Sequence, residues 1–204
     1  GQVVASPGYL EPSHSFHVRL TVVHGLVSPL QNAEEVKLHT GTAEEPGKLY
    51  LLEDSALPGD ASGFATIVTP NPVVAAPLDR FIVRRPSPAE TVAGGEILAV
   101  SSEFYKPRKR QIAEYLRDYL SFLGGNDPRS GEGLAKRAEF LLLRDAPGAG
   151  ELPLGDIARA LLVRPETASA IMYRLIGGGR ILAAGAGHYI HADRYGAFLD
   201  NVRQ

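Results

Sequence analysis

Apolar residues in the first half of the chain recur at every second position, and the period then changes to that of a helix. Phe16, Val18, Leu20 and Val22 alternate with His17, Arg19, Thr21 and Val23, which predicts a half-buried strand. Residues 36–53, VKLHTGTAEEPGKLYLLE, read as two alternating runs joined by a turn that contains Gly41, Pro46 and Gly47. Further strands are predicted at 63–70 (GFATIVTP), 73–76, 79–85 (DRFIVRR) and 91–100 (TVAGGEILAV). In DRFIVRR, Phe81 and Val83 share one face, and Arg80, Ile82 and Arg84 the other. Gly94-Gly95 predicts a bulge or a barrel-corner kink. Residues 1–12 read as a short strand followed by turn residues, and 24–33 as a loop. Many short strands with frequent turns predict a small antiparallel β-barrel or sandwich.

After residue 110 the spacing is helical. Ile112, Tyr115, Leu116, Tyr119, Leu120 and Leu123 line one face and stop at Gly124-Gly125. A second helix is predicted at 134–146, with Leu134, Ala138, Leu141 and Leu142 inward and Pro147-Gly148 halting it. A short helix follows at 155–162. Another, at 165–176, opens on Pro165 and faces Ala168, Ile171, Met172 and Leu175 inward. Two strands, 180–183 and 188–191, flank a Gly-Ala-Gly turn, and a closing helix covers 192–202. Helices followed by a β-hairpin is the order of a winged-helix domain. The expected fold is therefore α+β in two domains, a barrel over 1–102 and a winged helix over 103–204.

Composition adds detail to this division. The 204 residues suffice for two cores, and no apolar run approaches the roughly 20 residues needed to span a bilayer, so no membrane partner is expected. Residues 1–100 carry 6 Lys and Arg against 11 Asp and Glu, a net of −5, while the remainder carries 15 against 12, a net of +3. Different partners for the two halves follow from that asymmetry. The chain has no cysteine, which excludes disulfides and thiolate metal sites. It does not begin with Met, and Val3 and Val4 open an apparent strand, so a piece of a longer protein is expected.

Chemistry-bearing patterns are few. Gly41 to Lys48 has the spacing of a phosphate-cradling loop, but Leu49 stands where a Mg²⁺-binding hydroxyl belongs and the β pattern continues past Lys48, so a hairpin is expected. His188 and His191, three apart on a strand, point to opposite faces, which is poor metal geometry. No G-x-S-x-G elbow or carboxylate pair stands out, and no catalytic residue is assigned. Lys106, Arg108, Lys109 and Arg110 crowd the start of the helix at 110, the unfavourable end for positive charge. They form either a solvated linker or a contact for an anionic partner such as a phosphate backbone. The outward face of 165–176 carries Thr167, Ser169, Tyr173 and Arg174.

Several segments are similar to one family. GQVVASPGYLEPSHSF resembles the junction between the second and third domains of elongation-factor-Tu-like translational GTPases, with the last strand of domain II at 1–8. EEVKLHTGTAE, DRFIVRR and TVAGGEIL resemble strands of domain III in the selenocysteine-specific elongation factor (SelB) family, where a winged-helix region follows directly. The resemblance implies a cytoplasmic, monomeric factor that delivers selenocysteinyl-tRNA to the ribosome at recoded UGA codons. In such a factor GTP and Mg²⁺ bind an N-terminal domain that this chain lacks, a domain II pocket takes the aminoacyl group, and terminal winged helices, also lacking here, bind the mRNA insertion hairpin. This part would be no enzyme and would hold no cofactor. It would contribute a barrel that contacts tRNA and a winged-helix spacer toward the mRNA-binding end. Carried over by position, Lys37, His39, Thr40, Gly41 and Thr42 lie where domain III approaches tRNA backbone, with Arg84 and Arg85 on a later strand. The rival reading is a DNA-binding regulator whose winged helix reads duplex DNA through Tyr173, Arg174, Arg180 and the wing at 185–188.

Overall fold

The computed structural model describes residue 5 and residues 7–101, 109–146 and 150–202. They fall into two compact units, Gly1–Arg117 and Asp118–Gln204. The expected domain II strand at 1–8 lies largely outside the described residues, as do Lys106, Arg108 and Pro147-Gly148.

The first unit is a closed barrel of six antiparallel strands. In chain order the strands are β1 (Ser13–Val22), β2 (Leu30–Gln31), β3 (Glu34–Thr40), β4 (Ala43–Leu51), β5 (Ala56–Leu57), β6 (Ser62–Val73), β7 (Arg80–Arg85) and β8 (Glu90–Ser101). The barrel order is β1-β6-β4-β3-β7-β8, with β8 pairing back onto β1. Closure gives every barrel strand a partner on both sides over part of its length. Alternation decides which residues fill it: Phe16, Val18, Leu20, Leu38, Leu49, Ile67, Val83 and Ile97 are buried. Ile82, between Phe81 and Val83, is 44% exposed, as the alternation in DRFIVRR requires.

Four local expectations are corrected. Pro46 and Gly47 belong to β4 itself, and the turn is the two residues Gly41-Thr42 between the paired Thr40 and Ala43. Pro46 is tolerated because β4 joins β6 only from Lys48 onward, so the strand before that point is an edge on this side. Gly47 is required because a Cβ there would lie 2.7 Å from the Val68 carbonyl oxygen. Gly94-Gly95 is not a bulge: the register shifts of β8 fall between Ala99 and Ile97 against β1, and between Ala93 and Thr91 against β7. Gly95 instead permits β1 to approach, since a Cβ would sit 2.0 Å from the Arg19 carbonyl oxygen. The expected strand at 73–76 is the end of β6, which runs on to Val73. The loop at 24–33 contains β2, which pairs with β5 in a separate two-stranded sheet.

Helix α1 (Lys109–Leu123) ends at Gly124 and Gly125, both at positive φ. The second unit then builds α2 (Gly131–Phe140), α3 (Leu154–Leu161), α4 (Pro165–Gly177) and α5 (Ala192–Val202). Ser130 caps α2, its Oγ accepting from the Gly133 amide at 3.0 Å. The predicted helix at 134–146 is α2 running into a π-helical stretch, Leu141–Asp145. Three short strands, β9 (Glu151–Pro153), β10 (Ile181–Ala183) and β11 (His188–His191), form a sheet in the order β10-β11-β9; β9 was not legible as a strand. Ala138, Leu142, Ile157, Met172 and Ile181 form its core. Leu162 takes a left-handed conformation (φ 58°), which closes α3 and turns the chain into α4.

Candidate nucleic-acid interface

The β3–β4–β7 face of the barrel brings together Lys37, His39, Gly41, Thr42 and Arg84, five of the eleven expected contact residues. Strand pairing sets Lys37 directly opposite Arg84 on one side and Pro46 on the other, and His39 opposite Glu44 and Ile82. With a side-chain period of two, Lys37, His39 and Arg84 therefore share the outer surface. Lys37 Nζ donates to Glu44 Oε1 at 2.7 Å, and His39 Nδ1 lies 3.8 Å from the other Glu44 oxygen. The hydrogen bond from Lys37, then its charge, holds the Glu44 carboxyl below the usual carboxylate range, with smaller help from His39 and Arg84. One carboxylate thus faces three basic side chains. Two of their nitrogens, His39 Nε2 and Arg84 Nε, are buried without a hydrogen-bond partner among the described residues.

The hairpin end is well fixed. Gly41 has φ +54° with open space where a Cβ would be, so the turn presents bare backbone. Thr40 is buried and its hydroxyl donates to the Arg80 carbonyl at 3.1 Å, tying the hairpin to β7 rather than offering itself outward. Gly41 and Thr42 are exposed.

Arg85 has a different set of partners, although it adjoins Arg84 in sequence. Its guanidinium donates to Glu34 (2.5 Å), Glu90 (3.2 Å) and the carbonyls of Ser28 (3.0 Å) and Pro29 (3.1 Å). The bond to Glu34 leads in raising its pKa. It holds the loop before β2 against the barrel. Lys109 Nζ donates to Asn32 Oδ1 at 2.7 Å, and Arg110 pairs with Glu114 one helical turn away.

Lys48, the lysine of the apparent phosphate loop, sits inside β4 with no helix after it; the residues present do not fit GTP and Mg²⁺. It is exposed and, among the described residues, carries no ion pair. Lys48 and Tyr50 alternate with buried residues on β4. Counting by twos from Glu44 would have placed both on the Lys37 face. Beside them lies a cleft of about 480 Å³, lined by residues of β3, β4 and β6 together with Pro86.

Among the described residues, no group of three or more His, Cys, Asp or Glu side chains is arranged to hold a metal. In the second unit, Arg180 is gripped by both Glu139 oxygens (2.6 and 2.8 Å), and Arg174 donates to the Gly131 carbonyl at 2.7 Å. Tyr173 is 73% exposed. Both cations are thus paired within the second unit, as Lys37 is paired with Glu44 in the first.

Residues 17–103 match the family model described as the selenocysteine-specific elongation factor, beta-barrel domain. The barrel is similar to that of SelB. Over 126 residues the chain is also 33% identical to the selenocysteine-specific elongation factor of Desulfomicrobium baculatum, covering 61% of this chain and 19% of that protein. The two matches support a SelB fragment, and the match spans about a fifth of the length of that curated relative. No described helix is long and apolar enough to cross a membrane.

Proposed function

We propose that this chain is the part of a SelB-type translation elongation factor that touches tRNA through its barrel. The factor delivers selenocysteinyl-tRNA to the ribosome at recoded UGA codons, in the cytoplasm. The observation that carries the reading is the family match over nearly the whole barrel, residues 17–103. The row Arg84–Lys37, with His39 beside it and the exposed Gly41-Thr42 turn, is the surface for tRNA phosphates. Positive side chains and a bare glycine turn both suit close approach to a backbone. Arg85 supports the fold of the loop before β2 and does not contact RNA.

The second unit acts as a winged helix, with β9–β11 as its sheet and the turn at 184–187 as its wing tip. It serves as a spacer toward the mRNA-binding end, where further winged helices take the insertion hairpin. The internal pairing of Arg174 and Arg180 supports a spacer over a duplex reader. GTP and Mg²⁺ belong to another part of the factor. The test is tRNA binding by the 204-residue chain, with Lys37 and Arg84 changed to Gln. Weaker binding is expected, and unchanged binding would overturn the assignment.

A further inference from the structure

Next to the basic row, the barrel wall is indented. The cleft holds about 480 Å³, and its floor and sides include Pro46, Tyr50, Val68, Pro70 and Pro86. Lys37 stands on its rim and so belongs both to the cleft and to the basic row. Lys48 stands on the same lining, exposed and unpaired among the described residues. The lining spans β6, β4 and β3, adjacent in the barrel, so at a spacing of about 4.8 Å per strand it is on the order of 10 Å across. An apolar pocket of a few hundred Å³ with a few polar groups at its edge is the usual form of a small-ligand site.

Its chemistry selects among ligands. Flat proline faces and a half-buried tyrosine ring suit a planar heteroaromatic ring, since bases stack on aromatic side chains whatever their sequence. Cations on the rim suit an anion attached to that ring, and the lining's one carboxylate, Glu35, is the residue paired opposite Lys48 across the ladder. A paired helix would hide its bases, so only an unstacked nucleotide could fill the cleft. We infer that this cleft binds one unstacked nucleotide, its base against Tyr50 and the prolines and its phosphate between Lys37 and Lys48. The inference rests on the reading that this face meets RNA, and it adds a base-accepting subsite to a backbone contact.

The test uses the full 204-residue chain, with a single-stranded RNA hexamer, a blunt RNA duplex of the same length, and AMP as probes. Binding is followed by chemical shifts of the Tyr50 ring and by anisotropy of labelled RNA. Tyr50→Ala is expected to weaken the hexamer about tenfold and to leave the duplex unchanged, with Tyr50→Phe close to wild type. Lys48→Gln, an exposed change that leaves the fold alone, should weaken the hexamer and AMP together. Tyr50 shifts with AMP alone assign the site to free nucleotides as well; shifts with the hexamer only assign it to RNA. If the duplex binds and Tyr50→Ala and Lys48→Gln do not affect the hexamer, the cleft proposal fails and the backbone reading stands. If neither RNA binds, both fail. Saturation of the cleft by an acidic proline-rich peptide, with no nucleotide shift, would also overturn it.

Discussion

His17 makes the barrel sensitive to acid, by an amount that can be worked out. Its ring lies on β1 with Nδ1 3.0 Å from Thr66 Oγ1, and burial lowers its pKa from 6.5 to about 4. The folded state therefore resists a proton that the unfolded chain accepts readily. Stability from this residue is complete above about pH 6.5 and is lost as pH falls toward 4. From about pH 7 to about pH 4.5 the unfolded state gains nearly two pKa units of protonation free energy over the folded state, or about 2.5 kcal/mol. Denaturant unfolding at the two pH values gives the total, which includes carboxylates. Subtracting the same difference for His17→Gln isolates the histidine. The imidazole resonance should titrate with a midpoint near 4. A midpoint near 6.5, or equal acid losses in wild type and His17→Gln, would refute the reasoning.

Two further substitutions probe the packing. Gly95→Ala puts a Cβ 2.0 Å from the Arg19 carbonyl oxygen, so β1 and β8 must separate; a loss of roughly 3 kcal/mol or more is expected in denaturant unfolding. Gly131→Ala, with open space around its Cβ at the start of α2, should be neutral or stabilising by up to about 1 kcal/mol, which controls for glycine replacement in general. Arg85→Ala strands the mostly buried Glu34 and releases two loop carbonyls, so about 2–3 kcal/mol should be lost and amide exchange around β2 should quicken. Equal stability of Arg85→Ala and wild type would contradict its role as a loop anchor.

What could be read from the chain depended on whether the cause was local. The period-two run of β1, the faces of DRFIVRR and the stop of α1 at Gly124 are each written in a few neighbouring residues. Pro46 and Gly47 misled because both read as turn formers in isolation. Their place in β4 follows from where β6 begins to pair, which no window around them contains. Gly95 likewise is needed for the approach of Arg19, 76 positions away in sequence. Strands β2, β5 and β9 are two or three residues long, too short to show a period. At the proposed interface, Lys37, His39 and the Gly41 turn came from the family resemblance, and what the strand register adds is that Lys37 and His39 share a face with Arg84. Arg84 and Arg85 looked equivalent until the partners of Arg85, Glu34 and the carbonyls of Ser28 and Pro29, separated them. Lys48 was read only as the lysine of a phosphate-loop spacing, and its place on the Lys37 face follows from the strand register.

The most direct test of the account is the salt dependence of tRNA binding by the 204-residue chain. Each phosphate contact contributes about 0.7–0.9 to the slope of log K against log salt concentration. Lys37→Gln with Arg84→Gln should lower that slope by about 1.4–1.8, while Arg174→Gln with Arg180→Gln should leave it unchanged. The opposite pattern, a slope set by Arg174 and Arg180 and indifferent to Lys37 and Arg84, would contradict the assignment of the barrel as the tRNA-binding face.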